Sequence, residues 1–269
     1  MCCNDAREGT VSYEGLILNK VDKVARVTLC RPEKMNPIDT RLIGELRSVI
    51  DDVQGDANIK ALVITGQDKV FSAGGDLSLL VESFKDWKVL VNFGNEMNNM
   101  RLALGELPVP TIALVNGYAL AGGMELLLSC DLAIAAEEAL IGDQHINYGL
   151  VGGSSTWQLP RRIGLQKALY LMFTGSRVSG KEAEEIGMVY KAVPKEQLES
   201  ELEKLLSQIR DRSRDALGYI KKAAKGSLTM PTKDAFDYTL MTCNQYFMTS
   251  GDARRGIQAF LAKEGPPKY

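Results

Sequence analysis

Two glycine-rich turns constrain this chain more than any other feature: FSAGGD at residues 71–76 and ALAGGMEL at residues 119–126. Each follows an apolar run that reads as a buried strand, ALVIT and TIALVNG. Glycine adopts backbone angles closed to other residues and lets main-chain N–H groups come close to a ligand. Paired turns at strand ends can therefore aim two amides at one oxygen, and an oxygen that gains charge during a reaction is stabilised by such a pair. One such turn alone would favour a tight structural loop, which is the plain alternative for both.

The segments around the turns repeat one order. GLILN and ARVTLC read as strands, RPEKMNP as a turn, and residues 40–53 as an amphipathic helix. ALVIT then leads to the first glycine turn and a long helix over residues 87–107. TIALVNG leads to the second turn, a helix from Gly122 through ELLLSC, and the further strands LAIAAE and ALIGD. Beyond Gly149 helices dominate: STWQLPRRIG, LQKALYLMFTG and SGKEAEEIG, a short apolar MVYKAV, and more helix from Lys195. Strands recurring with helices, followed by a helical end, predict an α/β spiral of repeated ββα units rather than a doubly wound sheet. We divide the chain into a core over residues 1–200 that carries the site and a helical region over residues 201–269.

Composition narrows the function classes. The formal charge of −2 is nearly balanced and the basic residues are scattered, which argues against nucleic-acid and polybasic membrane partners. Five cysteines (Cys2, Cys3, Cys30, Cys130, Cys243) without a C-x-x-C spacing fit neither a disulfide framework nor a zinc knuckle. No metal is expected. The first ten residues lack the apolar core of a signal peptide, and no run approaches the ~20 apolar residues of a membrane span. A reducing, cytoplasmic setting is the expectation.

FSAGGDL, PTIALVNGYALAGGMELLLSCDLAIA, GLVGGSSTWQLPRRIG and FTG followed by EAEEIGMV, in this order, resemble the crotonase, or enoyl-CoA hydratase/isomerase, superfamily. The likeness runs from about Gly15 to Lys263 and rests on several separate blocks. It implies a crotonase-like spiral with a helical C-terminal appendage, an acyl-coenzyme A thioester as substrate, no cofactor beyond the coenzyme A of that substrate, and a homotrimer or homohexamer. It also implies that Gly75 and Gly122 supply oxyanion-hole amides. Coenzyme A would lie along Ala73, Asp76, Leu77 and Ser78, with the loop at Met35 helping through its backbone. Phe260 and Lys263 would approach a ligand from the last helix, often in the next subunit.

Glu125, three residues after Gly122 in an otherwise apolar stretch, is a carboxylate in a partly desolvated place, suited to proton transfer. In the resemblance it matches the glutamate that handles the attacking water. An acid favoured by the helix dipole is the plain alternative. His145, the only histidine, stands where hydratases and many isomerases carry a second glutamate. An imidazole exchanges protons near neutral pH, so His145 is expected to protonate the enolate carbon or to position water. A structural histidine is the alternative. Asp143, Asn147, Ser154 and Ser155 are weaker candidates for the same pocket, and Trp87 and Phe93 belong either to an acyl pocket or to the core.

Three activities stay open within this chemistry: hydration of an enoyl-CoA or its reverse, double-bond isomerisation, and hydrolytic opening of a β-keto acyl-CoA ring. A non-catalytic acyl-CoA-binding protein of the same fold is a fourth reading, opposed by the retained Glu125.

Overall fold

A computed structural model of the protein describes residues 9–269; Cys2, Cys3 and all but the last two of the ten leading residues lie outside that range. The chain opens with β1 (Thr10–Ser12), β2 (Leu16–Val21) and β3 (Val24–Leu29), joined antiparallel. Asp22 and Lys23 alone make the β2–β3 turn, at φ 48° and 64°. That left-handed pair matches the twist of the flanking strands. After β4 (Pro37–Ile38), Asp39 caps α1 (Thr40–Gly55) by accepting from the Leu42 amide at 2.8 Å. Leu42, Leu46, Val49 and Val53 then line its buried face, at the spacing that makes a helix amphipathic.

A strand–strand–helix order follows three times. β5 (Ala61–Gly66) leads to β6 (Val70–Ser72), the two-residue β7 (Gly74–Gly75), α2 (Leu77–Ser83) and α3 (Trp87–Glu106). β8 (Thr111–Val115) leads to β9 (Tyr118–Leu120) and α4 (Gly122–Ser129). β10 (Leu132–Ala136) leads to β11 (Leu140–Gly142), α5 (Ser155–Ile163) and α6 (Leu165–Thr174). Next come β12 (Val178–Ser179), α7 (Gly180–Glu185) and β13 (Lys191–Val193). The chain ends in α8 (Leu198–Ile209), α9 (Arg214–Ser227), α10 (Thr232–Thr249) and α11 (Gly251–Ala262).

In each repeat the first strand joins one sheet and the second strand another. The larger sheet has the order β1-β2-β3-β5-β8-β10-β13 and is parallel from β3 onward. The smaller has the order β12-β11-β9-β6, and β4 pairs with β7 beside it. Every residue of β5 and β8 is buried, which is why ALVIT and TIALV are unbroken apolar runs: parallel strands are covered on both faces. The repeated ββα spiral with a helical end is thus the observed architecture. MVYKAV supplies β13, an edge strand of the larger sheet, between helices.

The smaller sheet positions the site. Because β9 lies between β6 and β11, the chain leaves these three strands at residues 73–76, 121–125 and 143–145 on adjacent paths. No helix among the described residues is long and apolar enough to cross a membrane.

Candidate active site

The two glycine turns touch through their backbones. Gly74 has φ +102°, and a β-carbon on it would stand 2.6 Å from the Gly122 amide nitrogen. Conversely, a β-carbon on Gly122 would lie 3.1 Å from both Gly74 Cα and Gly75 N. Any side chain at 74 or 122 would force the turns apart. Ala121, immediately before, is held at φ 48° and ψ −120°, a conformation costly for a residue with a β-carbon, while its amide bonds Gly142 O at 2.9 Å. Gly122 is the first residue of α4, so no carbonyl within the helix accepts from its N–H.

The first turn is braced from beneath by the loop at Met35 and Asn36. Ala73 N donates to Met35 O at 2.9 Å, Asn36 Nδ2 donates to Val70 O and Phe71 O, and Ser72 Oγ donates to Asn36 O at 2.8 Å. Asp76 then caps α2 by accepting from Ser78 N at 2.9 Å. Leu77 and Ser78 are exposed beside it. Phe93 of α3 faces Gly75, its ring 3.7 Å from where a β-carbon would be; Trp87 is exposed instead. Phe260 and Lys263 stand exposed at the end of α11, with no hydrogen bond or ion pair to the two turns among the described residues.

Glu125 is buried on the first turn of α4, a helix in which every residue is buried. Its Oε2 accepts from Arg101 Nη2 at 2.7 Å and its Oε1 from the Ser155 amide at 2.9 Å. Arg101 is the functional-site residue that the sequence reading lacks. It occupies one position of the buried stripe of α3, with Met97, Met100 and Leu104. A lone arginine at apolar spacing was the available signal. Burial pushes the guanidinium below its ordinary value, against the pull of Glu125.

His145 opens a one-turn 3-10 helix after β11, and its Nδ1 is hydrogen-bonded to Asp143 Oδ1. The other Asp143 oxygen accepts from Ser155 Oγ at 3.1 Å. Gly152 passes directly over this group: a β-carbon there would collide with Ser155 Oγ and lie 3.0 Å from Asp143 Oδ1 and His145 Nδ1. Burial alone would lower the imidazole pKa. The hydrogen bond and charge of Asp143, with the charge of Glu125, outweigh burial and the repulsion of Arg101, and hold it above the ordinary 6.5. Of the weaker candidates, Asp143 and Ser155 join the site. Asn147 turns away toward Gly175 O, and Ser154 stands at the N-cap of α5 without a side-chain capping bond.

The profile of the family described as enoyl-CoA hydratase/isomerase matches residues 19–268. The chain is 34% identical over 252 residues to a probable mitochondrial enoyl-CoA hydratase of Dictyostelium discoideum, covering 92% of this chain and 88% of that one. It is 32% identical over 256 residues to a crotonyl-CoA hydratase of Syntrophomonas wolfei, covering 94% and 97%. Its fold is similar to a solved enoyl-CoA hydratase structure from Geobacillus kaustophilus, with a TM-score of 0.90, 29% identity, and coverage of 96% and 98%.

Proposed function

The chain belongs to the enoyl-CoA hydratase/isomerase family and is a hydratase-like enzyme; from that premise we propose that it adds water to an enoyl-CoA thioester, or removes it, through an enolate held by the amides of Gly75 and Gly122. The observation that carries this is the backbone contact between the two turns, with Glu125 one helical turn beyond the second.

The thioester carbonyl withdraws electrons from the conjugated double bond, so attack of water at the β-carbon moves charge onto the thioester oxygen. Two fixed N–H groups meet that charge, each worth roughly 2.7–4 kcal/mol in a comparable site. Glu125 takes the proton of the attacking water, since Arg101 and Ser155 fix both its oxygens in place. His145 delivers a proton to the α-carbon. Glu125 and His145 then regain their starting protonation by exchange with solvent, so that the elements of one water are added.

Coenzyme A lies along Ala73, Asp76, Leu77 and Ser78 in this scheme, with the Met35 loop beneath. Phe260 and Lys263 serve a neighbouring copy in a homotrimer or homohexamer, which their exposure on the last helix supports. The setting is cytoplasmic. The test is Glu125→Gln, which should retain acyl-CoA binding and lose turnover; full activity in that variant removes Glu125 from the mechanism.

The histidine at position 145 favours a second reading, isomerisation or ring-opening hydrolysis, because it replaces the second glutamate of the resemblance. Labelled water separates the three. Hydration adds labelled oxygen as a hydroxyl, hydrolysis as a carboxylate, and isomerisation adds none.

A further inference from the structure

Asp143 is 4% exposed, and its two oxygens are both engaged, one by His145 Nδ1 and the other by Ser155 Oγ. Among the described residues its ion-pair partner is His145 and no lysine or arginine. A carboxylate this deeply buried is stable only beside a compensating charge or a full set of donors. The protonated imidazole supplies the charge, and its Nδ1–H and the Ser155 hydroxyl supply the donors.

The ring is correspondingly fixed. With Nδ1 committed to Asp143, Nε2 is the remaining nitrogen, and it makes no hydrogen bond with another described residue. Ser155, fully buried at the start of α5, completes the frame: its amide holds Glu125 Oε1 and its hydroxyl holds Asp143 Oδ2. One residue thereby sets the spacing between Glu125 on α4 and His145 after β11.

We propose that Asp143 is a positioning residue that acts through His145: it holds the ring by Nδ1, turns Nε2 toward the reacting carbons, and is locked to Glu125 through Ser155. The catalytic part of this rests on the hydratase-like reading above. Asp143 thereby favours the protonated form of the second proton-transfer group. When the ring carries its proton, Arg101 and His145 stand against Glu125 and Asp143, and the enolate forms between two amides and an imidazolium that loses that proton to the α-carbon.

The charged groups around His145 are Asp143 beside it, Glu125 from α4 and Arg101 from α3. Arg177 stands behind the same turn, bonded through Nε to Gln144 Oε1 at 2.9 Å. The C-terminal end of α6 packs there too, through Gly175 O and Gln144; the one charged residue of that helix, Lys167, is in its first turn.

Because His145 is the only histidine, ring-labelled protein gives one set of imidazole NMR signals, read without substrate. In the parent the titration midpoint should lie above 6.5. Asp143→Asn should lower it by about one unit or more, the size of a neighbouring-charge effect. Turnover of an enoyl-CoA should then fall about 10- to 100-fold in kcat with KM nearly unchanged, as for loss of an orienting partner behind a functional histidine. The alkaline limb of kcat should move to lower pH with the NMR midpoint, and Asp143→Glu should restore part of both.

A parent midpoint at or below 6.5 overturns the proposal without any variant. So does a folded Asp143→Asn protein that keeps the parent midpoint or the parent kcat. If the parent turns over no enoyl-CoA while the Asp143→Asn midpoint shift is present, the hydratase reading fails and the coupling of Asp143 to His145 stands.

Discussion

Arg101 Nη2 and Glu125 Oε2 lie 2.7 Å apart, with the two side chains only 6% and 5% exposed. Removing one member of a buried pair strands the other charge, at a cost of about 3–5 kcal/mol, whereas replacing both by apolar groups is often neutral or stabilising. Arg101→Leu should therefore lower the urea midpoint sharply, and Arg101→Leu combined with Glu125→Leu should recover much of the loss while remaining inactive. A double variant no more stable than Arg101→Leu would show that the pair itself holds the fold together.

Gly75 and Gly122, the two glycines proposed to supply the oxyanion amides, differ in what they tolerate. A β-carbon on Gly75 meets only the Phe93 ring at 3.7 Å, ordinary van der Waals contact. One on Gly122 meets backbone at 3.1 Å, which cannot yield without separating the turns. Gly75→Ala should keep turnover within a few-fold of the parent. Gly122→Ala should lose on the order of 100-fold or more in kcat, the scale of one oxyanion donor. Steady-state kinetics on both decides it, and equal losses would mean that the contact between the turns is not what matters.

The legible part of the site is the part that is local in sequence. Gly75, Gly122 and Glu125 announce themselves because backbone approach demands glycine and because a carboxylate breaks an apolar run. Arg101 hides because helical spacing marks it as core, and only the packing of α3 against α4 reveals its partner. The roles of Asp143 and Ser155 depend on α5 returning to the end of β11, twelve residues along, which no pattern in the loop encodes. In sequence Asn147 is no different a candidate from Asp143, and only the 3-10 turn directs it to Gly175. Likewise the β2–β3 hairpin turns on Asp22 and Lys23 without the glycine that usually signals such a turn.

His145 also links stability to pH. Its pKa is raised in the folded protein, chiefly by Asp143 working against burial, so its contribution is fully present below the unfolded value near 6.5 and is lost as pH rises through the folded value. The stability difference between the parent and His145→Gln should be largest near pH 5.5 and should shrink by pH 9, read from urea midpoints at both. A difference that grows with pH would contradict the sign of the shift.

Asp131, at the head of β10, joins the spiral to the C-terminal helices. Its Oδ2 accepts from Thr111 N at 2.8 Å and Thr111 Oγ1 at 3.0 Å, and its carboxylate pairs with Lys221 at 2.7 Å and with Lys225, both on α9. Lys221, 10% exposed, also reaches Val109 O at 3.2 Å, and burial already lowers its pKa. Asp131→Ala leaves that ammonium buried and uncompensated, an expected cost of about 3–5 kcal/mol. The loss should fall first on α9 and on α10, which packs against it, since the sheet keeps its parallel ladders without this carboxylate. Amide hydrogen exchange should therefore speed up in α9 and α10 well before β5 and β8. Uniform acceleration across the chain would mean instead that Asp131 supports the sheet rather than the tether.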